Sequence, residues 1–271
     1  MDTASSREIS IDRLLILKPA ATKLILDPKA DLSELIKLTL LDLLIKQVLT
    51  LKKVMQPSHA RDPYLRTYFI VETGKNFLSY QPNRFETYFT DRIDKDSYFL
   101  LKSFFRAIYK EITSVYRYKI KIIVDLKMTD LFNKNLFLGI LSILKTNHKG
   151  DKLKSEITQY LHKIDEELEA LIKNTPQKAL EILGFLQGHI FLLNTLKFEL
   201  LETLKTPHKS VKAHKITYEQ DWYWSDYLND TTAKLSDIIS EVSDVLDSIE
   251  DYSTTDTDGN WEGDHSDVYF N

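Results

Sequence analysis

The chain has seven histidines: His59, His148, His162, His189, His208, His214 and His265. His162 and Glu166 stand four apart, with Asp165 and Glu169 beside them. On a helix that spacing supplies two ligands of a carboxylate metal site, or an ordinary charged solvent face. His208 and His214 are six apart in a predicted loop with no Cys near them, whereas zinc needs three or four converging ligands. There is no HExxH, GxGxxG, GxSxG or phosphate-loop lysine motif. The chain has no Cys, which removes thiolate catalysis, disulfides and cysteine-ligated metals. Asp256-Thr257-Asp258-Gly259-Asn260 has the opening of a calcium loop. Placing Gly259 at the sixth position puts Thr254 and His265 where carboxylates belong. These residues single out no catalytic group, no metal ligand and no cofactor. The expectation is a chain without enzymatic activity, with an enzyme whose groups converge from distant positions as an alternative.

Binding chemistry is better represented. Lys209, Lys212 and Lys215 lie among Lys205, His208 and His214, and Tyr218, Trp222, Tyr223, Trp224 and Tyr227 follow at once. Cations beside aromatics can hold phosphates and stack bases. They can equally serve a protein partner, since Trp and Tyr dominate interface hot spots, or form an aromatic plug over a bundle end. A second basic set, Lys52, Lys53, Arg61 and Arg66, joins Lys46 near a predicted hairpin. It offers phosphate contacts, or it is an edge kept from pairing by its lysines.

Charge is distributed unevenly. Residues 244–271 hold nine Asp or Glu and no Lys or Arg, leaving 31 acidic against 36 basic groups in the first 243, a formal net of +5. The expectation is a folded, mildly basic body with a flexible acidic tail over 251–271. Hydrophobic content is 43%, with seven Gly and seven Pro, a balance that favours helices over many tight loops. The N-terminus has no basic stretch before an apolar run, so no secretory signal is expected. Ala179–Phe198 is apolar but interrupted by Glu181, Gln187, His189, Asn194 and Lys197. It is read as a buried helix and not a membrane span. With no Cys and no transmembrane segment, a cytoplasmic location is expected.

The elements that must position these residues follow from periodicity. Ile11–Leu17 is a short helix or strand. Asp31-Leu32-Ser33-Glu34 has the form of a capping box, and Leu32, Leu35, Ile36, Leu40, Leu43 and Leu44 then recur at helical spacing, predicting a mostly buried helix over about 32–46. Val48–Val54 and Tyr64–Val71 read as strands joined through Pro57, Ser58, Asp62 and Pro63, with Gly74 as the stop. A short helix is expected over Asn83–Ile93.

This stretch, DLSELIKLTLLDLLIKQVLTLKK, a loop, then YLRTYFIVETG, resembles a winged-helix domain, in which a helix runs into a two-stranded wing. The resemblance covers Asp31–Gly74 and rests on element order. It implies a module at about 10–95 that binds DNA, RNA or protein. The residues disfavour base reading: the helix offers Ser33, Glu34, Lys37, Thr39 and Asp42, and phosphate repels two of these.

Leu101, Phe104, Phe105, Ile108, Ile112 and Val115 predict one helix within Asp96–Tyr118. Lys119–Leu126 is a strand or more helix, and Asn135–Leu144 a further short helix. His148-Lys149-Gly150-Asp151 breaks the pattern and is read as the boundary of the first region, 1–148. The next region, 149–250, is expected to be a bundle of long helices. Its helices are placed near Lys154–Lys173, from Thr175-Pro176 to Leu204 (about 45 Å if unbroken), and near Asp230–Ile249. Gly184 and Gly188, four apart, suit a close helix contact. The fold class is therefore α-rich α+β, a winged-helix-like start followed by a helical bundle. The functional expectation is a protein-interaction or scaffold module with a protein partner or self-association. A nucleic-acid-binding regulator, or weak non-specific nucleic-acid contact, is the alternative.

Overall fold

The computed structural model describes residues 17–58, 61–95, 97–133, 143–204, 234–255 and 268–270. Ile11–Ile16, Asn135–Ser142, the Lys205–Tyr227 basic and aromatic run and residues 256–267 lie outside them. The described residues form a mixed α+β fold that is mostly helical, with an α/β stretch first and a helical region after it.

Helix α1, Pro19–Leu26, opens with Pro at its first turn, where a missing N–H costs nothing. It is covered all round: Ala20, Ala21, Thr22, Leu24 and Ile25 are buried. Helix α2, Leu32–Ile45, starts where expected. Asp31 caps it by accepting from the Glu34 amide at 2.8 Å. The Glu34 carboxylate turns instead to Lys23, 2.8 Å away. α2 buries Thr39 and Asp42 along with its leucines, so these two are not the solvent-facing groups of a recognition helix. It ends at Gln47, whose φ of 52° is left-handed, with the Val48 amide bonded to the Leu43 carbonyl at 2.9 Å. This is a helix-ending turn usually given to Gly.

The chain then enters β1, Leu49–Pro57, and returns as β2, Leu65–Thr73. The two pair antiparallel from Leu49 opposite Thr73 to Pro57 opposite Leu65. Gly74 closes the hairpin base tightly, because a Cβ there would lie 2.1 Å from the Gln47 carbonyl oxygen. A one-turn helix α3, Thr87–Thr90, leads to β3, Ser97–Leu100, which pairs antiparallel with β2. Where one helix was expected over Asp96–Tyr118 the structure has β3 and two helices, α4, Leu101–Glu111, and α5, Val115–Asp125. The break is a new cap: the Ser114 hydroxyl accepts from the Arg117 amide at 3.4 Å. The alternation in Lys119–Leu126 is helical, since Tyr118, Lys119, Ile122 and Ile123 form one buried stripe.

His148 is the start of a helix. Asn147 caps α6, His148–Asn174, accepting from the Lys149 and Gly150 amides at 2.9 and 3.2 Å. Gly150 falls in its first turn because a Cβ would meet the Leu131 carbonyl at 2.3 Å. Leu153, Ile157, Leu161, Ile164, Leu168 and Ile172 make its buried stripe. Helix α7, Pro176–Leu186, then stops 18 residues short of Leu204. Gln187 takes φ 48°, and two 3-10 segments follow, Gln187–Leu192 and Phe198–Leu204. Between them the Asp165 carboxylate accepts from the Asn194 amide at 3.0 Å and the Thr195 amide at 3.0 and 3.1 Å. That turn replaces the expected 45 Å rod.

Helix α8, Leu235–Thr255, buries Leu235, Ile238, Val242, Leu246 and Ile249. It reaches five residues into the segment assigned to the tail. The short strand β4, Val268–Phe270, joins β3, giving a sheet of order β1-β2-β3-β4. One hydrophobic cluster runs from Ala20 to Ile249. α6 packs on α1, the Gln187–Leu192 turn on α1 and α2, and α8 on α2 and α4.

Candidate functional site

Two features carry functional chemistry: the outer half of the β1–β2 hairpin and a buried ionic cluster. The hairpin is half body and half projection. Its inner residues Leu49, Leu51, Phe69, Ile70 and Val71 are buried. Residues directly opposite in an antiparallel pair share a face. Lys53, Met55 and Pro57, with Thr67 and Leu65 opposite the last two, therefore continue the row of Leu49, Leu51, Val71 and Phe69 beyond the body. Met55 is 67% exposed, Leu65 60% and Tyr64 73%. The Asp62 carboxylate holds the returning turn by accepting from the Tyr64 amide at 3.0 Å and from the Ser58 hydroxyl.

The cations predicted to meet phosphate sit along this ribbon with partners of their own. Lys52 pairs with Glu72, and Arg66 lies 3.4 Å from Asp62. The Lys53 ammonium lies 5.8 Å from the Phe69 ring centroid, a cation–π distance. Arg61 is exposed in the turn. Lys209, Lys212, Lys215, Tyr218, Trp222, Tyr223, Trp224 and Tyr227 are outside the described residues.

The register also fixes the edge. Gly74 donates to the Val48 carbonyl at 2.8 Å. The same phase has even-numbered β1 residues exchanging hydrogen bonds with β2, so Lys53 and Met55 turn their main-chain groups outward. Pro57 follows in that phase and has no N–H. A lysine and a proline at these positions keep an edge from pairing with other strands.

The second feature was not legible as a site. Lys46, expected to join the phosphate set, is only 5% exposed. Its ammonium donates to Asp42 Oδ2 at 2.5 Å. Lys18, at the start of α1, donates to the Tyr80 hydroxyl at 2.8 Å and lies 3.4 Å from Glu86. Tyr80 donates to Glu86 Oε1 at 2.9 Å, and Glu86 Oε2 accepts from the Asn83 amide at 2.8 Å. His189, carried by the Gln187–Leu192 turn, completes the cluster. Its Nδ1 is 3.0 Å from the Leu186 carbonyl and its Nε2 is 2.9 Å from the Thr22 hydroxyl. A carbonyl can only accept, so Nδ1 carries the proton and Nε2 accepts from Thr22.

Burial governs the electrostatics. It pushes His189 down to about 4, so the ring is neutral. It pulls Lys46 down to about 8, against the raising effect of Asp42. Burial opposes charge on Asp42 too, but Lys46 and Lys18 outweigh it and hold that carboxyl below its ordinary range. Lys18 stands above the usual lysine range: burial works against its charge, and Glu86 with Asp42 more than compensates. Two ammonium groups thus face two carboxylates, and both nitrogens of the imidazole are engaged. Among the described residues Asp42 Oδ1 is the buried side-chain oxygen without a hydrogen-bond partner. It lies against Gly188, where a Cβ would come within 2.5 Å.

The cluster ties α1, α2, the Tyr80–Glu86 segment and the Gln187–Leu192 turn together. Such a balanced buried set specifies one packing arrangement, because any other leaves a charge unpaired. Two sequence signals point to it. Asp42 and Lys46 stand four apart in a helix that is apolar on every face, and His189 interrupts an apolar run. His162 and Glu166 are 3.4 Å apart and exposed. Among the described residues no three His, Cys, Asp or Glu gather as a metal site, and no helix is long and apolar enough to cross a membrane. No protein-family model matches this chain, and neither do curated proteins or solved structures.

Proposed function

We propose that the chain is a non-enzymatic protein-interaction module whose contact element is the outer half of the β1–β2 hairpin. The observation that carries this reading is the apolar face continuing past the body through Met55, Pro57 and Leu65, with Tyr64 beside it. Full burial of a side chain such as Leu65 or Met55 stabilises a complex by roughly 1.5–3 kcal/mol, and exposed clusters of this kind mark interaction surfaces. Lys53 lies in the same row, Lys52 and Arg66 on the opposite face of the ribbon, and Arg61 in its turn. That composition suits an apolar pocket with a polar margin on a partner protein. The helix–hairpin order α1-α2-β1-β2 supports a wing-like use of the ribbon. Pairing of Lys52 with Glu72 and Arg66 with Asp62 favours protein over nucleic acid, because phosphates would have to displace those carboxylates. The lack of Cys suits a reducing compartment, and the reading places the protein in the cytoplasm.

Site-specific photocrosslinking tests the reading. A benzophenone side chain at Leu65 should give discrete protein adducts that excess unlabelled chain suppresses. The same group at Leu78, 80% exposed but on a separate 3-10 turn, should not. Met55→Asp with Leu65→Asp should abolish interaction while leaving the melting temperature unchanged. Identical adducts from both positions would remove the hairpin from the interface.

A further inference from the structure

The far edge of the sheet is closed by β4. β4 runs antiparallel to β3, with Ser97 opposite Phe270, Tyr98 opposite Tyr269 and Phe99 opposite Val268. Without it, the main-chain groups of Ser97–Phe99 that face β4 would be left as a template for strand addition, although the Ser97 amide itself donates to the Asp94 carbonyl at 3.1 Å. Three paired residues supply few hydrogen bonds, each worth little net once water competes. Ordering them also costs conformational entropy. Its covalent connection to the rest of the chain keeps it at high local concentration beside β3. The tether, residues 256–267, has five Asp or Glu, two Gly and no Lys or Arg, with Trp261 as its one large apolar residue.

We propose that the β3 edge is a strand-acceptor site. β4 is its in-chain occupant, displaced by an extended segment of another protein. The fitting segment has β-branched and aromatic residues in series behind an acidic residue, as in Asp267-Val268-Tyr269-Phe270. Main-chain pairing supplies the attraction in strand addition, and alternate side chains supply the choice. The acceptor edge lies on the opposite side of the sheet from β1, so the site is independent of the hairpin contact.

The absence of Cys allows a direct test on the full chain. Tyr98→Cys with Tyr269→Cys places two thiols on directly opposite residues, about 4.5–5.5 Å apart between Cα atoms and within disulfide reach. Oxidation locks β4 in place. Val268→Pro with Tyr269→Pro removes two consecutive amide donors, so whichever faces β3 is lost. The probe is a fluorescein-labelled peptide of residues 262–271, followed by anisotropy. The proline form should bind it at least ten-fold more tightly than the wild type. The locked form should not bind, and reduction should restore binding. Equal binding to oxidised and reduced forms, or no gain in the proline form at unchanged melting temperature, would overturn the proposal. If the proline form fails to fold, the oxidised and reduced comparison decides alone. Leu65→Asp should leave peptide binding intact, so the two proposals fail separately.

Discussion

His189 makes the buried cluster sensitive to mild acid. In the unfolded chain the imidazole titrates near its ordinary value of 6.5, and in the folded chain burial holds it at about 4. Above pH 6.5 both states are neutral at this residue, and its contribution is fully present. As pH falls below 6.5 the unfolded chain takes up the proton first, and stability is lost until pH reaches the folded value. Each unit of difference corresponds to about 1.4 kcal/mol. Between pH 7.5 and 5.0 the linkage relation makes the loss about 2 kcal/mol. His189→Gln isolates that contribution, because a Gln amide can donate toward Leu186 and accept from Thr22 without titrating. Urea unfolding of both forms at the two pH values measures it. The wild type should lose about 2 kcal/mol more than the variant across this interval. Asp42 does not confuse the comparison. Its carboxyl is held below the ordinary range, so its contribution is lost only at lower pH. Parallel pH dependence in the two proteins would mean that His189 is not a buried neutral group in the fold.

Other perturbations have equally definite signs. Lys46→Met leaves Asp42 buried without its partner and should cost about 3–5 kcal/mol, most of it recovered by adding Asp42→Leu; thermal denaturation of the wild type and the two variants checks this. Gly188→Ala puts a Cβ 2.5 Å from Asp42 Oδ1 and 2.8 Å from the Pro19 ring. It should destabilise by about 1–3 kcal/mol, whereas the same change in open space would stabilise slightly, so the sign of the shift in melting temperature is decisive. Nucleic-acid binding should be weak, indifferent to sequence and steeply reduced between about 0.05 and 0.2 M salt, as anisotropy with a randomised duplex pool would register. Sequence-selective binding that persists at the higher salt and disappears on Lys52→Glu with Lys53→Glu would make the hairpin a nucleic-acid wing.

Features decided within a few residues were legible from the sequence. The cap at Asp31, the α2 run, the two strands up to Gly74 and the α6 stripe depend on local capping, period and turn chemistry. Those forces act over one helical turn or one strand pair and need no knowledge of the rest of the chain. The placement of Lys52, Lys53, Arg61 and Arg66 along a ribbon followed from the same local pattern. Their partners did not, because Glu72 meets Lys52 only once the hairpin register is set.

What tertiary structure decided lies where distant segments compete with local preference. Pro176–Leu204 has the pattern of one long helix. Its interruption depends on Asp165, which binds the Asn194 and Thr195 amides from 29 and 30 residues away, and on Gly188, which must fit against Asp42. Asp42 and Lys46 look like surface polar residues until α1, α8 and the Gln187–Leu192 turn cover α2. Once water is excluded there, an unpaired charge costs more than a broken helix. The chain gives up regular helical hydrogen bonding after Leu186, and the Gln187–Leu192 turn covers the Asp42–Lys46 pair while a neutral His189 bonds to Thr22.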